Sequence, residues 1–319
     1  SGELTIDDVA SPEYASQFVR SDVATPSFGL TDSAIWARVS FENNSARVAH
    51  WFLEHGYPNT HFIDVYAPDP DGEGYAVDEV GALRPVDNRD LSHPNFVFDI
   101  DIPTGEEQPV YLRVQSGSTI NLPLTLWAPT NFLVHSGRNQ ALYALYFGIL
   151  IGLLGYNLFL LVSLREASYL YLVVLLANMV LFEASYLGYL ECCLAPGIYR
   201  LKADYFPLLF AMIFLPTILL ADSFLELKVR HSTLHRLNIV ILAVWGILIF
   251  LIPFTTYHFI ATLMVPWGAV SMADVLTAGT STAGPDPAGW ARAPSPGRPA
   301  DRPAGPRPGP PRQAEQPRL

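Results

Sequence analysis

The stretch YLRVQSGSTINLPLTLW, from Tyr111 to Trp127, decides the fold of the chain's first half. Leu112 and Val114 oppose Tyr111, Arg113 and Gln115, and Leu122, Leu124 and Leu126 oppose Pro123, Thr125 and Trp127. Period-2 alternation of this kind belongs to strands with one buried face. Fourteen residues after Trp127 an uncharged apolar run begins at Ala141 and continues to Val162. Its 22 residues span about 33 Å as a helix, enough to cross a bilayer. A water-facing sheet and a membrane span therefore stand side by side.

The charge follows the same division. The chain of 319 residues carries a formal net charge of −11, and half of it is apolar. Ser1 to His135 holds 20 acidic residues against six arginines and no lysine, about −14. An acidic domain (1–135), a membrane domain (139–273) and a mildly basic tail (274–319) is the expected organisation. The acidic half excludes nucleic acid as a partner, which requires a basic footprint, and disfavours docking on anionic lipid. It contains no cysteine, so its core must hold without a staple. The numbering starts at Ser1 with no Met and no basic-then-apolar leader, so a signal peptide removed or left out is expected.

Further strands are read along the acidic half. In IWARVSF, Ile35, Ala37, Val39 and Phe41 share one face; in FVFDIDI, Phe96, Phe98, Ile100 and Ile102 do so, with Asp99 and Asp101 opposite. Turn signals separate the strands: ENNS at 42–45, PDPDGEG at 68–74 and PTGEE at 103–107. Short strands with polar turns predict an all-β sandwich, jelly-roll-like in character. PDPDGEG lacks the length and the distal Glu of an EF-hand and reads as an acidic hairpin turn rather than a calcium loop.

Two strands share an unusual face. Trp36-x-Arg38 and Tyr111-x-Arg113 each place an aromatic and an arginine opposite their aliphatic residues. Side by side they would form a platform that stacks on a flat or sugar-like ligand and forks onto a carboxylate or hydroxyls. The alternative is packing under a second layer, with the arginines paired to the many acids. With Trp127, these four residues make the candidate ligand site; no metal or cofactor set is present.

The apolar half predicts about five spans. After Ala141–Val162 and a polar hinge at Arg165–Ser168 come Tyr169–Leu190, then Tyr205 to about Ala221. From Arg236 to Asp274 lie 37 residues without a charge, room for two short spans broken near Pro253–His258. The segment DSFLELKVRHSTLHR carries Lys228, Arg230 and Arg236, which assigns it to the cytoplasm and the acidic domain to the outside. Arg200 and Lys202, on the outer side, weaken that signal. Asn157, Asn178 and Glu183 lie within spans, where polar groups serve either function or helix–helix adhesion. Cys192 and Cys193 are adjacent; neighbours bridge each other only with strain, which leaves free thiols or an intermolecular bond.

Together these features resemble the bacterial seven-transmembrane receptors with diverse intracellular signalling modules, the 7TMR-DISM family. The residues that carry the resemblance are Trp36 and Arg38, Tyr111–Val114 with Ser116, Pro123–Trp127, Tyr146 and Gly148, and Tyr156-Asn157-Leu158-Phe159. Arg165 and SYLYL at 168–172 continue it, and the match covers roughly Leu4 to Met272. The resemblance implies a periplasmic jelly-roll sensor similar to carbohydrate-binding modules and a seven-helix unit in the bacterial inner membrane. It also implies a cytoplasmic output module of the diguanylate cyclase, histidine kinase or phosphatase kind. The expected partners are a small-molecule or carbohydrate-like ligand and the bilayer, with a homodimer as an open assembly. From Gly284 the text turns to 11 prolines in 36 residues, a composition that forms neither a span nor a packed module. A proline-rich linker or an out-of-frame translation replacing the last spans and the output module is the expectation there. The competing classes are a membrane enzyme or transporter, for which no catalytic motif or inverted repeat is found, and a membrane-anchored adhesion or carbohydrate-binding protein.

Overall fold

The computed structural model describes residues 4–31, 33–45, 48–69 and 74–282. The expected disorder of the proline-rich tail lies outside the described residues from 283 onward, as does most of the PDPDGEG turn, at 70–73.

Two short helices, α1 (Ile6–Ala10) and α2 (Pro12–Ala15), precede the strands. A capping box starts α1: the Thr5 side chain accepts from the Asp8 N–H, and the Asp8 carboxylate accepts from the Thr5 N–H. The strands are β1 (Ser27–Gly29), β2 (Ile35–Glu42), β3 (His50–His55), β4 (Phe62–Pro68), β5 (Tyr75–Val80), β6 (Phe96–Asp101), β7 (Glu107–Gln115), β8 (Ile120–Asn121) and β9 (Leu124–Trp127). They form a four-stranded sheet in the order β2-β7-β4-β5, a three-stranded sheet in the order β6-β3-β9 and a small β1-β8 ribbon, and neighbouring strands in each run antiparallel. Leu53, Phe96, Phe98 and Ile100 from one large sheet and Ile63, Val65, Leu112 and Val114 from the other fill the core between them. This is the expected sandwich, with aliphatic faces inward and Asp99 and Asp101 exposed. Asn43, in the turn after β2, is buried, and its amide donates to the carbonyls of Val48 (2.7 Å) and Ile102 (2.6 Å).

Only Ala128 separates β9 from α3 (Pro129–Leu164), because Pro129 occupies the first helical turn, where its missing N–H costs nothing. The helix thus starts well before the apolar run at Ala141, inside the stretch assigned to the sandwich. Its polar segment His135–Gln140 contains no proline, and with Gly137 as its one weak position it extends the helix beyond the apolar run. It ends at Arg165, in the left-handed conformation. The chain returns through α4 (Ala167–Tyr186), turns at Gly188, and passes a π-helical turn (Leu190–Leu194) and a 3₁₀ segment (Pro196–Leu201). It then crosses again as α5 (Lys202–Phe224). A short α6 (Leu227–Arg230) leads to α7 (Ser232–Leu251), and after a break at Ile252–Phe254, α8 runs from Tyr257 to Thr282. Five helices are long and apolar enough to cross a membrane. The last continues past residue 273, the expected boundary of the tail.

Cys192 and Cys193 depart from expectation: they are joined to each other within the π-helical turn, not free and not intermolecular. A turn wound more widely than an α-helix carries both Cα atoms, 3.8 Å apart.

Candidate functional site

The cross-strand register assembles four of the five candidate ligand residues on one face. Trp36 lies opposite Arg113, and Arg38 opposite Tyr111, across the β2–β7 ladder. Next door, β4 sets Asp64 against Arg113 and Tyr66 against Tyr111. Trp36 stacks on Tyr66 with ring centroids 5.5 Å apart, and its indole N–H has no hydrogen-bond partner. Tyr111 is buried between Phe18 and the edge of Tyr75. Arg38, exposed, lies over the Phe18 ring at 5.4 Å. Arg113 donates to Asp64 at 3.0 Å, and Asp64 also accepts from Arg84 at 2.5 Å. Asp64 is almost fully buried, so the two guanidinium groups hold a carboxylate that would otherwise be costly there. On this face Arg113 is therefore paired, the Trp36 indole N–H is buried, and Arg38 rests on a ring.

Trp127 stands apart from these four, in the other sheet. Its indole N–H donates to Glu54 at 2.7 Å, and its ring stacks on His135 of α3 at 4.5 Å. Glu54, in β3, is buried and also accepts from the Asn95 amide at 2.6 Å. His93 accepts from the Asn95 backbone N–H at Nδ1, so its Nε2 carries the proton and donates to Ser136 of α3 at 3.1 Å. Burial is the main cause holding His93 below the ordinary imidazole range. These contacts lie where the sandwich meets the helices, and three more complete the junction. The Asn59 amide donates to the Tyr186 carbonyl at the end of α4 (2.9 Å). The His61 ring meets the Tyr257 ring at the start of α8 edge-on, at 5.1 Å. Gly188 packs so closely that a Cβ there would come within 2.6 Å of the Pro94 carbonyl oxygen.

Beside the junction lies a buried charge cluster. Glu191 pairs with Lys202 at 3.0 Å and accepts from the hydroxyls of Ser185 (2.5 Å) and Tyr205. Both charged groups are almost fully buried, and burial holds the lysine ammonium below its usual range.

The intramembrane polar residues take three different positions. Asn178 donates from α4 to the Leu209 carbonyl of α5 at 3.0 Å and ties the two helices. Asn157 donates to Leu153 within its own helix at 2.8 Å. The Glu183 side chain, half-buried, has no hydrogen-bond or ion-pair partner among the described residues. Among those residues no three His, Cys, Asp or Glu side chains gather as a metal set.

Asp64, Arg84, Glu54, Asn59 and the Glu191–Lys202 pair escaped the sequence reading. A single carboxylate inside the strand HWFLEH was the only local sign of Glu54, and Asn59 carries none.

A β-sandwich seated on the outer ends of a multi-span helical bundle, with polar contacts reaching three of the helices, defines a membrane protein of receptor architecture. The chain belongs to the 7TMR-DISM family, a sensor and signalling family: residues 1–128 match 7TMR-DISM extracellular 2, and residues 139–283 match 7TM diverse intracellular signalling. A comparison with curated proteins found no match.

Proposed function

We propose that the chain is a signal receptor of the bacterial inner membrane, with its sandwich in the periplasm and Leu225–His231 in the cytoplasm. A small, carbohydrate-like ligand binds the outer domain. The bound state favours one arrangement of the helices, and an output module of the diguanylate cyclase or histidine kinase type reads it. Such coupling requires a ligand that binds the two arrangements with different affinity and a rigid path between them. The single observation that supports the path is α3: 36 unbroken residues, about 54 Å, from the last strand of the sandwich to the hinge at Arg165. Its first turn is fastened in the sandwich by Phe132, which is buried against Phe52 and His93. The Trp36–Arg38–Tyr111–Arg113 face is the proposed carbohydrate-like site, because the register brings two arginines and stacked rings together.

The test is hydrogen exchange on the full chain in lipid nanodiscs. Asn59→Ala removes the bond from the sandwich to the end of α4. Exchange at Arg165–Glu166 and in Leu225–His231, at the opposite ends of the helices, should change severalfold. A change confined to the surroundings of residues 59 and 186 would leave a membrane-anchored binding protein, and the receptor reading would be lost.

A further inference from the structure

The junction between sandwich and helices contains a cavity of about 200 Å³. That exceeds the about 150 Å³ in which an apolar cavity holds benzene, so a small organic molecule fits. Its walls include Glu54, Tyr57 and Asn59 of the sandwich, Tyr143 of α3, and Tyr186 and Tyr189 at the far end of α4.

The polar atoms of the lining are unequally engaged. Each side-chain amide of the lining already donates one hydrogen bond: Asn59 Nδ2 to the Tyr186 carbonyl (2.9 Å), Asn95 Nδ2 to Glu54 (2.6 Å), Asn139 Nδ2 with His135 (2.9 Å) and Gln140 Nε2 to Ser136 (3.2 Å). The indole N–H of Trp127 also points at Glu54. The acceptors are not used up. Asn59 is 5 % exposed, yet its Oδ1 is buried without a hydrogen-bond partner. Glu54, 7 % exposed, holds two hydrogen bonds but no ion pair among the described residues, although a carboxylate can accept about four. No lysine or arginine lines the cavity. Arg89 is engaged outside the lining, donating to the His93 carbonyl at 3.0 Å and lying over the Phe96 ring.

A cavity with unsatisfied acceptors, a buried carboxylate and tyrosine faces selects against anions, which find no cation there. A neutral sugar would find the tyrosine hydroxyls but would leave the Glu54 charge without a counter-ion. What remains is a group that brings donors and positive charge together. We infer that this cavity is a binding site for a small protonated amine, its ammonium group placed between Glu54 and the Asn59 side-chain oxygen and its carbon chain against the tyrosines. The site is separate from the outer-sheet face. It deepens the receptor reading by one step and rests on that reading only for its consequence: an amine held there touches the sandwich, α3 and α4 at once, and so would bias how they sit together.

The experiment is titration calorimetry on the intact chain in nanodiscs with three probes that differ at one end only: aminobutanol, butanediol and hydroxybutyrate. Aminobutanol should bind, and the neutral and anionic probes should bind at least about tenfold more weakly. Glu54→Gln, which keeps the shape and the acceptor for Trp127, should weaken aminobutanol by at least about tenfold. Val19→Ala, at an exposed residue outside the cavity lining, should leave it unchanged. Equal binding of butanediol or hydroxybutyrate by the wild-type chain overturns the inference, whatever the variants do; so does the absence of binding by all three. Hydrogen exchange at Leu225–His231 separates the two readings. Aminobutanol bound without a response there keeps the site and removes the receptor. A response to Asn59→Ala without aminobutanol binding keeps the receptor and removes the site.

Discussion

His55 and His61 show how single residues set the conditions under which the sandwich stands. His55 is fully buried; its Nε2 carries the proton and donates to the Asn121 carbonyl at 3.1 Å, and its buried Nδ1 has no hydrogen-bond partner among the described residues. His61 receives the Gly117 N–H at Nδ1 (3.2 Å), which keeps that nitrogen bare. Burial, joined at His61 by the charge of Lys202, lowers both to about 4. The folded state therefore binds protons more weakly than the unfolded chain, whose imidazoles titrate near about 6.5. Stability is fully present above about pH 6.5 and falls as the pH drops towards about 4, by on the order of 3 kcal/mol for a fully buried ring. Asp78 and Asp99, raised chiefly by burial, act in the opposite sense and offset part of the loss. Denaturation of the sandwich in the intact chain, followed at about pH 7 and about pH 4.5, should show a marked drop that shrinks by more than half in the His55→Gln/His61→Gln double variant. A drop of equal size in the double variant would exclude these rings as its cause.

Among the elements, the packing of α5, α7 and α8 rests on one glycine. Trp245 of α7 is completely buried, stacks on Phe214 of α5 at 4.9 Å and donates to Ser271 of α8 at 3.0 Å. Gly268 of α8 lets that stack form, since a Cβ there would lie 2.7 Å from the Phe214 ring. Close approach at small residues drives helix association where lipid is as apolar as leucine. Gly268→Leu should cost about 1–3 kcal/mol by overpacking and lower the thermal midpoint in nanodiscs. Gly246→Ala, whose Cβ meets nothing within 4 Å, should be neutral or slightly stabilising. None of this contact was readable from the text, whereas the spans themselves were, because gaps in charge mark them without reference to partners. The same holds for the sheets. β2, β6 and β7 alternate over part of their length, and the recurrence of aromatic-x-Arg in β2 and β7 anticipated a shared face. Asp64 could not be placed on that face without knowing that β4 lies beside β7. The junction was the least legible, since Asn59 and Tyr186 stand 127 residues apart and neither belongs to a motif. The length of α3 was hidden for a simpler reason: hydropathy stops at the membrane surface, and a helix of polar residues above it does not.

At the scale of the whole molecule, the hydrogen bonds and ring contacts from sandwich to helices described above fall on one end of the spans: the start of α3, the end of α4 and the start of α8. The hinge at Arg165 and the segment Leu225–His231 lie at the other. Alternation of five spans then fixes the orientation of the entire chain once one side is known. The positive-inside argument assigns the Lys228–Arg236 segment to the cytoplasm, since Lys228, Arg230 and Arg236 outnumber Arg200 and Lys202 on the other side. With Cys192 joined to Cys193, no free thiol remains among the described residues, and single introduced cysteines can report sides without background. Val19, 92 % exposed before the first strand, and Val229, 86 % exposed in α6, are suited to this. In intact bacterial spheroplasts a membrane-impermeant maleimide should label Val19→Cys at once and Val229→Cys only after permeabilisation. The reverse pattern would turn the sandwich inward and defeat the receptor orientation. Immediate labelling of both would mean that the five helices do not cross as alternating spans, since α6 and the sandwich would then share one side of the membrane.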